Sequence, residues 1–177
     1  MKLKTNIKIK EDGIKNNYKK LAIIIIINLL IFGLCNVISD IKYEEVDDFI
    51  IYSLYSGIDG TYNLHGIYVH PLICLIISIF YRIIPIINWH TIFLLAMQFI
   101  CFTVMGYIIL KKHDNPTSII LYTAFASAFY PALLMLIQYT SVAALIISTS
   151  LFICIDIIEN SKTRKTKYKK NNRRKAG

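Results

Sequence analysis

The sequence predicts an all-α membrane protein with about four transmembrane helices and an outer loop that carries two short interfacial helices. Two observations predict this class. Of the 177 residues, 55% are hydrophobic and the mean hydropathy is +0.52, with apolar runs near the roughly 20 residues that a helix needs to cross the hydrocarbon layer. The formal charge is +9, and the basic residues are concentrated at the two ends of the chain, whereas the longest internal polar segment is acidic.

The first span is predicted at residues 21–38, after a basic segment at residues 1–20. This run is longer than the apolar region of a signal peptide, and the residues after it lack the small-x-small pattern of a cleavage site. We therefore interpret it as an uncleaved anchor. All but four of the 20 Lys and Arg lie in residues 1–20 or 158–177. The positive-inside rule then places both ends in the cytoplasm of a multi-pass cell-membrane protein.

The outer loop and its interfacial helices are predicted at residues 39–88. The first part of this segment is acidic, and one lysine, Lys42, opposes its acids. The acids are Asp40, Glu44, Glu45, Asp47, Asp48 and Asp59. Because it is Lys and Arg that retain a loop in the cytoplasm, we expect this segment on the outer face.

Five apolar runs are present, but five crossings from a cytoplasmic amino terminus would leave the basic tail and the Lys111–Lys112 turn outside. One run must therefore not cross. The run at residues 69–87 is the best candidate because it contains Arg82 and is bracketed by Pro71 and Pro85. An arginine costs about 2.5–3.5 kcal/mol at the hydrocarbon centre and much less at the headgroups. We expect a helix that lies along the outer interface.

The remaining spans are predicted at residues 89–110, 118–137 and 141–157. The third of the four spans contains Ala124, Ala128 and Ala132, a stripe of small residues that repeats every four positions. Such a stripe lets helix backbones approach closely, so we expect it to pack against another helix.

The basic tail at residues 158–177 has few apolar residues and is predicted to be disordered in isolation. Its charges attract anionic lipid headgroups by about 1 kcal/mol each. Nucleic-acid binding is not expected, because Tyr168 is the one aromatic residue that accompanies the basic run as a stacking platform.

A short amphipathic helix is predicted directly after the first span. Val46, Ile50 and Leu54 have helical spacing, and the acids gather in the first turn, where the helix dipole favours them. Gly57 and Gly60 end the helix. A helix of this kind lies on the membrane surface and presents its carboxylates beside a lipid-facing wall.

Asp47 and Asp48 are the candidate catalytic residues of this helix. A carboxylate that is partly desolvated at the membrane surface can act as general base for a hydroxyl that attacks a lipid-linked substrate. The alternative is a solvated acidic face that only fixes topology, since charge runs usually mark exposed surface. The residues alone do not choose between Asp47 and Asp48.

Three short patterns resemble the amino-terminal part of GT-C superfamily glycosyltransferases. They are an acidic pair shortly after the first span, a short helix ending in Ser56-Gly57, and His70-Pro71-Leu72 opening an apolar helix. In protein mannosyltransferases and aminoarabinose transferases, this outer loop carries the catalytic Asp, and a His-Pro-Pro-Leu or Lys-Pro-Pro-Leu element opens an interfacial helix. The second proline is absent here.

Three further segments are similar to uncharacterised bacterial multi-span proteins of that superfamily. They are Asp-Asp-Phe at residues 47–49, Asn-Trp-His at residues 88–90 and Gln-Tyr-Thr at residues 138–140. The resemblance covers residues 21–157.

The resemblance implies transfer of a sugar from a polyprenyl-phosphate donor to an acceptor at the outer face, by an inverting displacement with Asp47 or Asp48 as base. It also implies that His70 and Arg82 bind substrate. Superfamily members generally continue for many more spans, which implies a partial module: a fragment, a truncated reading frame or a non-catalytic remnant. The alternative function is a non-enzymatic membrane subunit whose alanine stripe packs on a partner membrane protein.

The acids and histidines of the outer loop match no compact metal-ligand motif, so no cofactor is predicted and a divalent cation stays an alternative. The residues that would hold it are His65, His70, Asp47, Asp48 and Asp59. Two other histidines, His90 and His113, are interpreted as interfacial polar residues. The four cysteines lie in apolar runs and are interpreted as buried, unreactive thiols. They are Cys35, Cys74, Cys101 and Cys154.

Overall fold

The computed structural model describes residues 2–40, 42–43, 46–58, 60, 69–112 and 115–175, and side chains within 16–40, 42–43, 47–58, 60, 69–112 and 115–163. Six helices and two two-residue strands form the described part of the chain. In chain order they are α1 Lys2–Ile38, β1 Lys42–Tyr43, α2 Val46–Ser56, α3 Pro71–Ile83, α4 Trp89–Lys112, α5 Pro116–Met135, β2 Leu136–Ile137 and α6 Tyr139–Lys175.

Four of these helices contain a stretch that is long and apolar enough to cross a membrane. The stretches are Asn16–Ile38, Trp89–Lys112, Pro116–Met135 and Tyr139–Thr163. The predicted fold class, an all-α protein with four membrane-spanning helices and short helices between them, is therefore confirmed. α5 begins at Pro116 rather than at residue 118 because Asn115 caps it, accepting a hydrogen bond from the Ser118 backbone N–H at 3.1 Å.

α3 is an apolar helix of 13 residues. At about 1.5 Å per residue it spans about 20 Å, short of the roughly 30 Å of hydrocarbon. His70 caps its start, and Pro71 occupies its first position. The helix ends at Ile83, two residues before Pro85, as a following proline favours. α3 is therefore one of the short helices between the spans.

α4 lies at the centre of the bundle and contacts α1, α5 and α6. Where α1, α4 and α5 meet, Asn28 is fully buried. Asn28 donates to Thr103 Oγ1 at 3.1 Å, and its carbonyl oxygen accepts from the Tyr122 hydroxyl at 2.7 Å. Gly106 leaves space for the Tyr122 ring, since a Cβ there would lie 2.6 Å from it. We name Asn28, Thr103 and Tyr122 the inner cluster.

The basic residues of the four spans gather at one end of the bundle. Lys112 at the end of α4 forms an ion pair with Glu159 of α6. Lys19 and Lys20 of α1 border a recess with Asn115 at the start of α5. At the opposite end, β1 pairs in parallel with β2. The structure thus separates a basic end from an acidic end, and the cytoplasmic position of the basic end stays a prediction.

The alanine stripe of α5 faces away from the other described helices. Ala124, Ala128 and Ala132 are all exposed, whereas Tyr122 and Tyr130 on the opposite side are buried. The stripe is therefore not used for packing within the described chain.

Two other details of the spans differ from or extend the sequence interpretation. Cys35, Cys74 and Cys101 are buried, but Cys154 is exposed, because it lies on the outward side of α6. α6 continues as helix through the basic segment to Lys175. The predicted disorder of residues 158–177 in isolation stays a prediction.

Candidate functional site

Three segments that are far apart in the sequence meet at the acidic end of the bundle. α2 contributes Asp48 from its first turn, α4 contributes His90 from its first turn, and α6 contributes Tyr139, its first residue. Asp48 is 0% exposed and His90 is 2% exposed. The structure thus brings together residues from 47–49, 88–90 and 138–140. We name the residues around Asp48 and His90 the outer cluster.

The carboxylate of Asp48 is buried, and its two oxygens have different surroundings. Oδ1 accepts a hydrogen bond from the Tyr139 backbone N–H at 3.0 Å and lies 3.6 Å from His90 Nε2. Oδ2 is buried and has no hydrogen-bond partner among the described residues. Buried polar atoms are almost always paired with protein, water or a ligand, so an unpaired carboxylate oxygen marks a place for one of these.

His90 is held in place by its backbone and by aromatic neighbours. Its backbone N–H donates to the Tyr81 hydroxyl at 3.0 Å. The rings of Tyr55 and Tyr43 lie 5.8 Å and 6.0 Å from the imidazole. Nδ1 and Nε2 are both buried without a hydrogen-bond partner in the described part of the chain. The imidazole is therefore oriented by packing, and its nitrogens stay available.

A hydrogen-bond network built on Asn88 supports this arrangement. Asn88 Oδ1 accepts from the Tyr81 hydroxyl at 3.0 Å and from the Thr91 backbone N–H at 3.1 Å. Asn88 Nδ2 donates to the Tyr43 hydroxyl at 2.9 Å. Tyr43 is itself fixed by strand pairing with Ile137. The network ties β1, α3 and the start of α4 into one rigid support.

The tyrosines of the outer cluster remain neutral hydrogen-bonding groups. Burial raises the pKa of Tyr43, although hydrogen bonds from Thr91 and Asn88 act in the opposite direction. Burial likewise raises the pKa of Tyr55 and of Tyr81. Because desolvation penalises the phenolate, these hydroxyls keep their protons well above neutral pH.

A cavity of about 160 Å³ adjoins the outer cluster between α3, α4 and α6. His90, His70, Tyr55 and Tyr139 supply its polar groups, and the rest of its wall is apolar. The apolar residues are Val69, Ile73, Ile77, Phe93, Leu94, Val142, Ala143 and Ile146. Its volume is below the roughly 300–1,000 Å³ of a complete small-molecule site, so it fits one part of a larger, partly apolar ligand.

The structure separates the predicted site residues into two groups. Asp48 lies in the outer cluster, and His70 lines the cavity while its Nδ1 accepts from the Leu72 backbone N–H at 3.2 Å. Asp47 is exposed, and Arg82 lies exposed in the last turn of α3, outside the cavity wall. Five acids and histidines named above lie outside the described residues. They are Asp59, His65 and His113, together with the Glu44–Glu45 pair.

The sequence interpretation missed His90 as a site residue. It treated the histidine as an interfacial polar group, whereas the side chain points into the bundle. The helical register contained the signal: His90, Leu94 and Gln98 follow at four-residue spacing and are all buried on one face of α4. Among the described residues, no three His, Cys, Asp or Glu side chains cluster closely enough to hold a metal ion.

Comparison with protein-family models, with curated proteins and with solved structures found no match to this chain.

Proposed function

We propose that this multi-span helical membrane protein is a GT-C-like glycosyltransferase module, whole or partial, that binds or transfers a sugar from a polyprenyl-phosphate donor at the outer membrane face. The observation that carries the proposal is the buried Asp48 carboxylate, with one oxygen unpaired among the described residues, beside an apolar cavity at the acidic end of the bundle. In this proposal Asp48, not the exposed Asp47, is the catalytic base.

The position of the cavity supports a lipid-linked donor. Such a donor has its hydrocarbon chain in the bilayer and its phosphate and sugar at the headgroups, so its site must combine an apolar wall with polar groups at one end of a span. The cavity has this composition, with His70 and His90 at its polar part and Ile73, Ile77 and Val142 in its wall. Both histidines come from the starts of helices, at the end of the bundle opposite the lysines of the spans.

The proposed reaction is an inverting displacement at the anomeric carbon. The oxygen of an acceptor hydroxyl forms a bond to this carbon while the bond from the carbon to the phosphate oxygen breaks. The polyprenyl phosphate leaves with the electron pair, and the hydroxyl proton passes to the Asp48 carboxylate. Proton transfer to a positioned base typically contributes about 10²–10⁴ in rate.

A purely structural role for Asp48 is the main rival, because Oδ1 caps the first N–H of α6. Asp48→Asn separates the two roles. The amide oxygen of Asn can still accept from the Tyr139 N–H, but the side chain no longer accepts a proton. We therefore expect normal folding and membrane insertion together with a loss of transfer of about 10²–10⁴. Asp47→Asn is the matched comparison and should stay close to the wild-type rate.

The experiment uses the full chain in envelope membranes with a panel of radiolabelled polyprenyl-phosphate hexoses and pentoses. Loss of label from the donor measures transfer. Fluorescence of Trp89, the single tryptophan and the neighbour of His90, measures donor binding without an acceptor. Transfer by wild type and by Asp47→Asn, with binding but no transfer by Asp48→Asn, supports the proposal. Full transfer by Asp48→Asn, or no binding of any donor, contradicts it.

The second candidate function is a non-enzymatic subunit that packs on a partner membrane protein. The exposed alanine stripe of α5 favours it, because small-residue stripes promote close helix contact in membranes. A chain that binds no donor of the panel but forms a specific cross-link from position 128 in native membranes would fit this function instead.

A further inference from the structure

Among the described residues, His90 is the side chain beside Asp48 that can become a cation. Its Nε2 lies 3.6 Å from Asp48 Oδ1. We propose that Asp48 and His90 work as a pair, in which His90 positions the carboxylate and shares the proton that Asp48 takes up. The identity of the hydroxyl that supplies this proton rests on the proposed function. The pair itself does not, because it follows from the geometry of the outer cluster.

Burial makes a partner for Asp48 necessary. An ionised carboxylate without compensation is expensive in a protein interior, and a nearby imidazole that can carry a proton reduces this cost. The start of α6 contributes as well, since its Tyr139 N–H donates to Oδ1 and the partial positive charge of a helix amino terminus favours an anion. Asp48 Oδ1 and His90 Nε2 are buried and 3.6 Å apart, so a charge on one group acts strongly on the other.

The unpaired atoms indicate the separate roles of Asp48 and His90. Oδ1 faces both the Tyr139 N–H and His90 Nε2, which leaves Oδ2 for a ligand hydroxyl. His90 lines the cavity, whereas Asp48 does not. His90 is therefore the member of the pair that faces the cavity, and the proton that Asp48 takes up can leave through it. His90 is accordingly a positioning residue for the carboxylate and its proton partner.

The surroundings of His90 make it well suited to this role. The Tyr81 hydroxyl fixes its backbone, and two aromatic rings limit rotation of the imidazole. The titratable groups that face it or share its cavity come from every element packed around it. They are Tyr43 of β1, Asp48 and Tyr55 of α2, His70 and Tyr81 around α3, and Tyr139 of α6. Because burial raises the pKa of Tyr43, Tyr55 and Tyr81, these hydroxyls keep their protons, and Asp48 is the carboxylate that faces His90.

The first test is independent of any enzymatic activity. The chain has four histidines, so ¹⁵N-histidine labelling of the whole protein in nanodiscs gives few imidazole signals. The His90 signal is assigned by its loss in His90→Gln. We expect Asp48→Asn to change the His90 Nε2 shift and its pH dependence, because the partner that shares the proton is gone. Asp47→Asn, on the same turn but exposed, is the control and should leave both unchanged.

An Asp48→Asn spectrum in which the His90 signal matches that of Asp47→Asn would overturn the pair. The Asn variant keeps the cap on α6, so this comparison is made between folded proteins. Helical content measured by circular dichroism checks this for every variant.

The second test uses transfer of sugar from the donor panel. His90→Gln keeps a donor near Nε2 but cannot share a proton, so kcat should fall about tenfold or more while KM stays near wild type. The Asp48→Asn/His90→Gln double variant should lose little more than Asp48→Asn alone, since the residues act as a unit. His113→Gln, beyond the end of α4, should be neutral.

The two tests distinguish failure of the pair from failure of the proposed function. Coupled histidine signals in a chain that transfers no sugar would retain the pair and remove the glycosyltransferase proposal. Normal transfer by His90→Gln, together with an uncoupled histidine signal, would remove the pair and retain the proposed function.

Discussion

The inner and outer clusters are both buried and polar, but their hydrogen bonds differ. In the inner cluster, Asn28 pairs with both Thr103 and Tyr122, and the Tyr122 hydroxyl also donates to the Phe102 carbonyl at 3.0 Å. In the outer cluster, Asp48 Oδ2 and both nitrogens of His90 are unpaired among the described residues. A satisfied polar network rigidifies a helix bundle, whereas an unsatisfied one with ionisable members has capacity left for a ligand.

Two other buried polar atoms of the bundle are also unpaired. Gln98 Oε1 and the Tyr130 hydroxyl have no hydrogen-bond partner among the described residues. Both groups are neutral, and Gln98 already donates to the Leu133 carbonyl at 2.9 Å, which the last turn of α5 leaves open. The outer cluster thus differs in combining unpaired atoms with an acid and a base that face each other.

The largest expected effect on stability concerns the close approach at Gly106. In Gly106→Ala the new Cβ would lie 2.6 Å from the Tyr122 ring, so α4 and α5 must separate or the tyrosine must move. We expect a loss of about 1–3 kcal/mol of stability, measured by unfolding in mixed micelles. Gly33→Ala in α1 is the control, because nothing lies within 4 Å of its Cβ position. If Gly106→Ala left the stability unchanged, this result would contradict the view that the inner cluster fixes the packing of the bundle.

A smaller effect is expected from Tyr122→Phe. The change removes the hydroxyl that donates to Asn28 and Phe102 and leaves the Asn28 carbonyl oxygen unpaired. Hydrogen bonds inside membrane bundles are worth about 0.6–2 kcal/mol, so we expect a loss of that size. Tyr18→Phe, at an exposed position, should be neutral in the same unfolding measurement. Sugar transfer should be unchanged by Tyr122→Phe, since the inner cluster has a packing role only.

The smallest expected effect is that of Asp48→Asn on stability. The variant keeps the cap on the Tyr139 N–H and removes a buried charge, so we expect stability within about 0.5 kcal/mol of wild type, or slightly higher. This outcome would separate the role of Asp48 in transfer from a role in packing, because the same variant is expected to lower transfer by about 10²–10⁴. A loss of several kcal/mol in the same unfolding measurement would instead assign the outer cluster a mainly structural role.

The spans were predictable because long apolar runs have few alternatives in a membrane. The short length of α3 was predictable for a related reason, since Pro71 and Pro85 bracket it, whereas its position at the interface stays a prediction. The sequence did not predict which of Asp47 and Asp48 is buried in the outer cluster. The sequence grouped Val46, Ile50 and Leu54 on one face of α2, but packing against α3 and α4 buries the other face. That face holds Asp48, Ile51 and Tyr55.

Tertiary packing also explains why the partners of Asp48 were not identified. Tyr55 receives a hydrogen bond from Cys74 of α3 at 3.1 Å, on the face of α2 that packs against α3. No local pattern in an 11-residue helix contains that information. The buried position of His90 could have been inferred from the register of α4. The contact of Tyr139 with Asp48 could not, because Tyr139 contributes a backbone N–H.

The hydrogen bond from Tyr139 to Asp48 has a consequence for biosynthesis. Its two residues are 91 positions apart, and the strand pair beside it joins residues 42–43 to 136–137. During translation the early spans leave the ribosome long before α6 exists, so Asp48 has neither its cap nor a closed environment at that stage. The carboxylate becomes buried only when the fourth span inserts and docks. Insertion of that span therefore completes the outer cluster, and a nascent chain that stops before residue 139 lacks it.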